Sequence, residues 1–473
     1  MQPVLLWSDA LIWLLVMAAL AGGVLSAGNP MQVAAWRRVG SSRVGMAAGT
    51  LLLCFVLIGL LDSLHYRPRL ANSHGSSHAS EASKGKVYAV EVRSVLDALL
   101  TTLREHGEKT YSAPLASRLF SMESIEQADG HIVREYPRLR FGGKHLAANE
   151  AGLAADVWTS CGQGLLLGAL GSLLLALALV FSLARRQQRP MQQVFADIYQ
   201  GRSAIAWQAV LLTLALILLI ATPLALLAGN YHVFGTDKVG QDVLYQVLKS
   251  VRTGLVIGLV TTLVTLPLAI FLGIIAGYFG GWIDDAIQYV YTVLNAIPGV
   301  LLIAAAVLMM QVLIDIHPDW FATAAERADV RLLALCFILG LTSWTGLARL
   351  LRGETLKLKE LEYIQAAQAF GVAHLRIVLR HILPNLMHIV VIALVMDFSS
   401  LVLAEAVLSY VGIGVDPTMT SFGTMINNAR MELGREPAVW WSLVAAFSAM
   451  FILVLAANLF ADAVRDAFDP RAA

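Results

Sequence analysis

Charged residues are scarce in this sequence: Asp, Glu, Lys and Arg make up only 14% of its 473 residues. Soluble domains carry about 25% charged residues, so this composition excludes an ordinary soluble protein. The net charge of +1 leaves no basic excess, which argues against a nucleic-acid partner. Cysteine is rare as well. Cys54, Cys161 and Cys336 lie in or beside apolar runs, which predicts buried thiols without a disulfide framework.

Catalytic motifs are missing too. The sequence contains no GxxxxGK[ST], no HExxH and no nucleophile–base set, so any ATP hydrolysis must come from another chain. Three histidines, His65, His74 and His78, fall in or near a Ser/Gly-rich stretch, a composition that provides no scaffold for metal coordination. We therefore predict no enzyme activity, no catalytic residue, no metal site and no cofactor.

Long apolar runs dominate what is there, with 58% hydrophobic residues. A helix needs about 20 consecutive apolar residues to cross a bilayer, and helices are the default there because they satisfy their own backbone hydrogen bonds. We predict an all-α integral membrane protein with about nine spans: Leu5–Leu25, Met46–Leu61, Cys161–Leu183, Ile205–Ala228, Leu255–Tyr278, Ala286–Ile314, Leu332–Leu350, His388–Tyr410 and Val439–Phe460. Pro298 predicts a kink or break in the sixth span. Asp9 and the absence of a basic n-region favour a retained first span over a signal peptide.

Lys and Arg collect after the odd-numbered spans, which predicts that these spans end in the cytoplasm. The N-terminus would then lie outside and the C-terminus in the cytoplasm. One loop argues weakly against this orientation, because Lys238, Lys249 and Arg252 would lie outside. Two neighbouring carboxylates, Asp237 and Asp242, soften the objection.

A polar insert, about residues 62–160, separates the second and third spans and would lie outside. It opens with a Ser/Gly/His-rich stretch whose composition predicts a flexible tether. Val87–His106 then has the periodicity of one amphipathic helix, and short elements follow with Gly and Pro turn signals. The sequence therefore predicts a small cap or interaction surface on the outer side.

The segment Glu362–Asn385 carries the strongest functional signal, because it is a polar, basic loop between two apolar spans. Ala366 and Ala367 put two small side chains on one helix face, which lets a partner approach closely. Gly371 tolerates positive φ and allows a turn at a helix end. Pro384 suits the first turn of the next helix, where no backbone donor is needed. The spacing favours a rigid element that docks on another protein over an ordinary basic loop.

The same spacing resembles the loop by which permease subunits of ATP-binding-cassette importers bind their ATPase, in the dipeptide, oligopeptide and nickel branch of that family. Four more passages resemble this branch, in its order: FGTDKVGQDVLYQVLKSVRTGL, AGYFGGWIDD, AEAVLSYVGIGVDPTMTSFGTMI and NLFADAVRDAFDPR. The resemblance covers roughly Trp207 to the C-terminus. Gln365 and His381 depart from the general motif, which has Glu and commonly an aliphatic residue at these positions.

The resemblance implies an inner-membrane protein with a six-span permease core at 205–473 and a coupling loop at 351–386. It also implies a second permease, two ATPase subunits that bind the ATP and an extracytoplasmic solute-binding protein. Carried over by position, Ala366, Ala367, Gly371 and Pro384 would belong to the coupling helix. We predict that Glu362, Leu375 and Arg376 belong to the same coupling loop. The resemblance says nothing about the two spans at 1–61, the insert at 62–160 or the third span and linker at 161–204.

Two carboxylates, Asp397 and Glu405, lie inside the eighth predicted span. A charge at the bilayer centre costs about 2.5–3.5 kcal/mol on insertion scales, so such residues usually face protein or water. We predict that they line the translocation path or the seam with the partner permease. The alternative is that Glu405 is hydrated near the outer boundary and that Asp397 is a polar tether between helices.

The predicted function is a permease subunit of a peptide importer. A nickel or other small-solute importer remains open, because the permease core does not reveal the cargo. A membrane sensor or assembly protein that uses the external insert is the alternative of another class.

Overall fold

The computed structural model describes residues 2–26, 28, 30–69, 88–126, 132–146, 152–321 and 323–468. Its helices are α1 (Trp7–Ser26), α2 (Pro30–Ser41), α3 (Arg43–Asp62), α4 (Val95–Leu99), α5 (Thr101–Glu105), α6 (Leu153–Gln187), α7 (Met191–Tyr199), α8 (Trp207–Ala228), α9 (Val243–Phe279), α10 (Gly281–Ala296), α11 (Gly299–Ile316), α12 (Ala324–Ser343), α13 (Thr345–Lys359), α14 (Glu362–Ala369), α15 (His374–Ile377), α16 (Leu383–Val411), α17 (Phe422–Glu432) and α18 (Trp441–Phe468).

Nine helical segments of the described chain are long and apolar enough to cross a membrane, which confirms the predicted fold class. They are α1, α3, α6, α8, α9, α11, the α12–α13 pair, the α15–α16 stretch and α18. The predicted break at Pro298 is confirmed, because α10 ends at Ala296 and α11 begins at Gly299. Proline disfavours helical backbone at the preceding residue, and Ile297 is extended.

The longest buried helix, α9, begins twelve residues before the predicted span. Asp242 caps it, since its Oδ1 accepts hydrogen bonds from the backbone N–H groups of Leu244 and Tyr245 at 2.8 and 3.2 Å. Lys249 and Arg252 therefore lie within the helix. Their charges are matched by carboxylates of the N-terminal half of the chain, Asp62 for Lys249 and Asp9 for Arg252.

Helix α9 forms the centre of the bundle and packs against α3, α12, α13 and α16. Helix α3 lies between α8, α9 and α18, and α6 packs along α8. The N-terminal spans are thus built into the same bundle as the core helices. The predicted domain boundaries, with the core starting at residue 205, stay a prediction.

The insert contains short elements, and residues at the N-terminus add one strand to them. Strands β1 (Gln2–Val4), β2 (His65–Arg67) and β3 (Arg93–Ser94) form an antiparallel sheet in that order, and β4 (Glu123–Glu126) pairs with β5 (Ile132–Glu135). The predicted helix over Val87–His106 is wrong: Ser94 and Asp97 form a capping box that starts α4 only at Val95, and the chain breaks again at Leu100. His74 and His78 lie outside the described residues.

The insert and the predicted coupling loop contact opposite ends of α9. Ser94 and Asp97 of the insert lie at its N-terminal end, beside Lys249 and Tyr245, whereas Tyr278 at its C-terminal end contacts His374. A helix of 37 residues is roughly 55 Å long, and the hydrocarbon core of a bilayer is about 30 Å thick. The two regions therefore lie on opposite sides of any membrane that this bundle spans.

Candidate functional site

The turn in the coupling loop is a Schellman motif centred on Gly371. Helix α14 ends at Ala369, the N–H of Gly371 donates to the carbonyl of Gln368 at 3.0 Å, and the N–H of Val372 donates to the carbonyl of Ala367 at 3.1 Å. Gly371 has φ +72°, a conformation that is favourable mainly for glycine. The geometry confirms the turn predicted at Gly371 at the end of a helix.

Three isoleucines anchor this loop to the bundle. Ile364, Ile377 and Ile382 are all 0% exposed and pack into one apolar cluster with Leu351 of α13 and Tyr278 of α9. Burying an isoleucine side chain contributes about 1.5–3 kcal/mol. The loop is therefore held by the ends of α9 and α13.

Polar contacts fix the same attachment. The hydroxyl of Tyr278 lies 2.9 Å from Nδ1 of His374, and Gln368 Nε2 donates to this hydroxyl at 3.4 Å. One tyrosine at the end of α9 thus holds both halves of the coupling loop. On the neighbouring helices, Arg352 of α13 makes a bidentate ion pair with Asp284 of α10, with both N···O distances 2.6 Å.

The outer face of the loop is apolar at its tip. Phe370 is 87% exposed and Leu375 is 70% exposed, so neither side chain contributes to the core of this chain. Ala366 is exposed, but Ala367 is half-buried against the apolar cluster. The two alanines therefore do not present one common surface, because a 100° step per residue turns the second inward.

Charged residues flank this apolar tip in the sequence. Glu362, Arg376 and Arg380 are exposed, and none of them makes an ion pair with another residue that the structure describes. Pro384 occupies the first turn of α16, as its lack of an N–H group predicts. A π-helical turn over Val378–Ile382 joins α15 to α16, so the second half of the loop runs directly into a spanning helix.

Glu405 and Asp397 have different surroundings. Glu405 is 1% exposed, and its Oε1 accepts hydrogen bonds from the hydroxyls of Ser409 and Ser421 at 2.6 and 2.9 Å. Ser421 caps α17, so Glu405 ties α16 to α17 inside this chain. Asp397 is half-buried, and its carboxylate makes no ion pair or hydrogen bond with the described residues. The alternative interpretation made Asp397 the polar tether between helices. In the structure Glu405 makes such a contact.

A second polar cluster lies at the other end of α9. His232, 3% exposed, lies between Asp242 Oδ2 at 2.8 Å and Glu108 Oε1 at 3.4 Å. Burial lowers the pKa of His232, but the two carboxylates outweigh it and raise this pKa to about 9. Burial raises the pKa of Glu108, but the bond to His232 and three backbone N–H donors lower it to about 2. This cluster clamps the insert onto the core.

His65 of β2 is hydrogen-bonded to a carboxylate of the N-terminal helix α1. Its Nδ1 lies 2.7 Å from Oδ2 of Asp9, so the imidazole serves an intramolecular contact. Among the residues that the structure describes, no group of three or more His, Cys, Asp or Glu side chains is placed to hold a metal ion. The three cysteines are free thiols.

Sequence reasoning missed two residues of this site, Phe370 in the predicted coupling loop and Tyr278 of α9, which contacts the loop. Phe370 was overlooked because an aromatic residue inside an amphipathic stretch is normally buried. Its position directly before the helix-ending Gly371 was the available signal, since the turn lifts it off the bundle. Tyr278 lies 96 residues away from His374 in the chain, and no local pattern links the two.

These features define a polytopic helical membrane protein with a rigid, apolar-tipped loop at one end of its central helix. Residues 269–473 match the model of the family described as binding-protein-dependent transport system inner membrane component. The oligopeptide transport system permease protein OppC of Mycobacterium bovis is 31% identical over 242 residues, which cover 51% of this chain and 77% of that protein. The glutathione transport system permease protein GsiD of Pectobacterium atrosepticum is 35% identical over 245 residues, covering 51% and 74%.

The chain therefore belongs to the family of binding-protein-dependent transport system inner membrane components. It is a multi-pass inner-membrane permease of an ATP-binding-cassette importer, and it is not an enzyme.

Proposed function

We propose that this chain is one of two permease subunits in an importer of peptides, driven by separate ATPase subunits that bind its coupling loop. The single observation that carries the coupling proposal is the exposed apolar tip, Phe370 and Leu375, on a loop whose isoleucines are fully buried. A large apolar side chain on a rigid, polar-edged surface is typical of a protein interface. The printed names of the relatives, oligopeptide and glutathione permeases, support a peptide cargo.

In this proposal, closure of an ATPase pair pushes the tip residues toward the membrane. The buried isoleucines and the Tyr278 contacts pass the movement to α9 and α13, and the π-helical turn passes it to α16. Because packed elements move as rigid bodies, the spans would swing between inward-facing and outward-facing states. Asp397, whose carboxylate has no partner among the described residues, would face the path or the second permease.

The proposed topology places the coupling loop and the C-terminus in the cytoplasm and the insert outside. The positions of the two regions at opposite ends of α9 support it, as does the collection of Arg residues near the coupling end. The insert would then lie on the side where a solute-binding protein delivers its cargo.

The test replaces Phe370 with Asp in cells that carry the complete transporter. We expect Phe370→Asp to lower both ATPase co-purification and uptake of a labelled tripeptide by about 30-fold, because an interface anchor contributes about 2 kcal/mol. The matched control is Phe195→Asp, since Phe195 on α7 is 60% exposed and lies outside the coupling loop. Undiminished ATPase binding in Phe370→Asp would refute the coupling assignment.

A separate measurement tests the cargo. Cells lacking the transporter are supplied with the intact genes, and uptake of labelled di- and tripeptides is compared with uptake of labelled nickel ion. Peptide uptake that depends on the intact chain supports the proposal. If only nickel uptake depends on the intact chain, nickel replaces peptide as the proposed cargo. The coupling assignment is then unaffected.

A further inference from the structure

An apolar groove of about 740 Å³ runs along the side of the bundle between α8 and α18, and α3 forms its floor. Its walls carry aliphatic side chains such as Leu212, Leu216, Ile452 and Leu459, which are 72%, 58%, 43% and 37% exposed. Small residues of α3 and α8, Ala47 and Ala209, provide the depth. The site exists because α3, a helix of the N-terminal extension, separates two core helices.

The dimensions of the groove match one leaflet of a bilayer. On α8 its lining extends from Gln208 to Ile220, roughly 18 Å of helix. One leaflet accounts for about half of a hydrocarbon core that is about 30 Å thick. The groove is therefore long enough for one acyl chain laid parallel to the helices.

One charged side chain, Arg43, is among the described residues that line the groove. Arg43 is the first residue of α3 and lines one end of the groove together with Gln208, and no carboxylate is among the described lining residues. Arg43 is exposed and makes no ion pair with another described residue. Helix α3 has 20 residues and so spans roughly 30 Å, which places Arg43 at the boundary of the hydrocarbon, where lipid phosphates lie.

This end of the groove is on the coupling-loop side. Ala463 lies against Gly45 and Phe460 against Gly49, so the C-terminal part of α18 runs beside the start of α3. At the other end of α18, Nε1 of Trp441 donates a hydrogen bond to the backbone carbonyl of Thr236, near the insert. In the proposed topology the groove opens to the cytoplasmic leaflet, which carries anionic lipids.

We propose that the groove is a binding site for an anionic phospholipid, with one acyl chain between α8 and α18 and the phosphate on Arg43. The bound lipid fills the space between α3, α8 and α18 and holds the N-terminal extension against the core. Aliphatic walls select the chain and the unpaired guanidinium selects the headgroup charge. The site does not depend on which solute is transported.

The experiment uses the full chain in its transporter complex, reconstituted in nanodiscs that contain a phosphatidylglycerol with a photoreactive group in its acyl chain. After irradiation, mass spectrometry maps the labelled residues. We expect labels on the facing walls of α8 and α18, and excess unlabelled phosphatidylglycerol should suppress them about fivefold better than phosphatidylcholine. A single Arg near the membrane surface accounts for this ratio, since it contributes about 1 kcal/mol.

Two variants and two matched controls separate the headgroup from the chain. Arg43→Gln should abolish the preference for phosphatidylglycerol. The control Arg186→Gln removes an exposed Arg in the last turn of α6 and should keep this preference. Ala209→Trp should fill the groove and remove the labels, whereas Ala169→Trp, on the exposed face of α6, should leave them. Arg43→Gln decides the headgroup even if Ala209→Trp does not fold.

Three results would overturn the proposal. Labels spread evenly over the lipid-exposed helices would show that the groove is no specific site. An equal preference in Arg43→Gln and wild type would remove the headgroup contact. A disulfide between Cys introduced at Leu212 and a helix of the second permease would show that protein, instead of lipid, fills the groove.

Discussion

Arg252 of α9 and Asp9 of α1 form a buried ion pair that joins residues 243 positions apart in the chain. The guanidinium donates to Oδ1 of Asp9 from Nη2 at 2.6 Å and from Nε at 3.2 Å, and the side chains are 6% and 0% exposed. Ser8, next to Asp9, also contacts Arg252 and donates from its backbone N–H to Asp329 of α12 at 3.1 Å. The first helix is thereby fixed to two helices of the core.

Removal of this ion pair should destabilise the bundle strongly. Asp9→Ala removes the carboxylate that is hydrogen-bonded to the buried guanidinium of Arg252, and breaking a buried pair in this way costs about 3–5 kcal/mol. Thermal unfolding of the purified protein in detergent should show a clearly lower midpoint. Glu354→Ala is the control, because its partner Lys357 is 72% exposed and such surface pairs contribute about 0–1 kcal/mol. Equal midpoints for Asp9→Ala and wild type would contradict the structural role.

Attachment of the insert should depend on pH through His232 and Glu108. The pKa of His232 rises from 6.5 to about 9 on folding, so its contribution is complete below pH 6.5 and is lost as pH rises through 9. The pKa of Glu108 falls from 4.5 to about 2, so its contribution is complete above pH 4.5 and is lost as pH falls toward 2. The clamp should be strongest between about pH 4.5 and 6.5.

Amide hydrogen exchange checks this dependence. Protection of the N–H groups of Phe141 and Gly142, which donate to Glu108, should decrease above pH 8 after correction for intrinsic exchange rates. The loss corresponds to roughly 3 kcal/mol between pH 6.5 and pH 10. His232→Gln should be weakly protected at all pH values. Protection that stays constant from pH 6 to pH 10 in wild type would show that His232 is not charged.

A bulky charge at Gly371 should uncouple transport without unfolding the bundle. A Cβ atom at this position meets nothing within 4 Å, and the positive φ adds strain of about 1–2 kcal/mol, confined to the turn. Gly371→Arg should insert and assemble normally but lose ATP-driven uptake, because the new side chain lies beside Phe370. Gly434→Arg, at an equally open glycine near the opposite end, is the control. Full uptake by Gly371→Arg would contradict the coupling role.

Asp397 and Glu405 should respond differently to neutral substitution. Glu405→Ala leaves the hydroxyls of Ser409 and Ser421 without their acceptor in a buried site, which costs about 1–3 kcal/mol. Asp397→Asn breaks no contact within the described chain, so its thermal midpoint should stay close to wild type while uptake decreases. Normal uptake in Asp397→Asn would remove Asp397 from the path and the seam.

The spans could be predicted well because hydropathy is a local property. Each helix in a bilayer satisfies its own hydrogen bonds, so an apolar run of sufficient length determines it without reference to the rest of the fold. The break at Pro298 and the turn at Gly371 were predictable for the same reason, since each follows from the backbone restrictions of one residue.

The insert was less predictable, because periodicity alone does not locate a helix start. The apolar spacing of Val87–His106 is compatible with one helix, but Ser94 pairs in a sheet with His65 and caps a helix that begins later. That pairing depends on a strand nearly thirty residues earlier in the chain.

The composition and spacing of the residues predict a helical membrane protein with a structured polar loop between two spans. Four further features follow from long-range packing: Ala367 faces inward, Phe370 forms the tip, Glu405 is a tether, and Asp9 neutralises Arg252. Hydropathy and backbone conformation depend on neighbouring residues in the chain and are therefore readable from the sequence. The partner of a buried charge depends instead on which distant helices pack together.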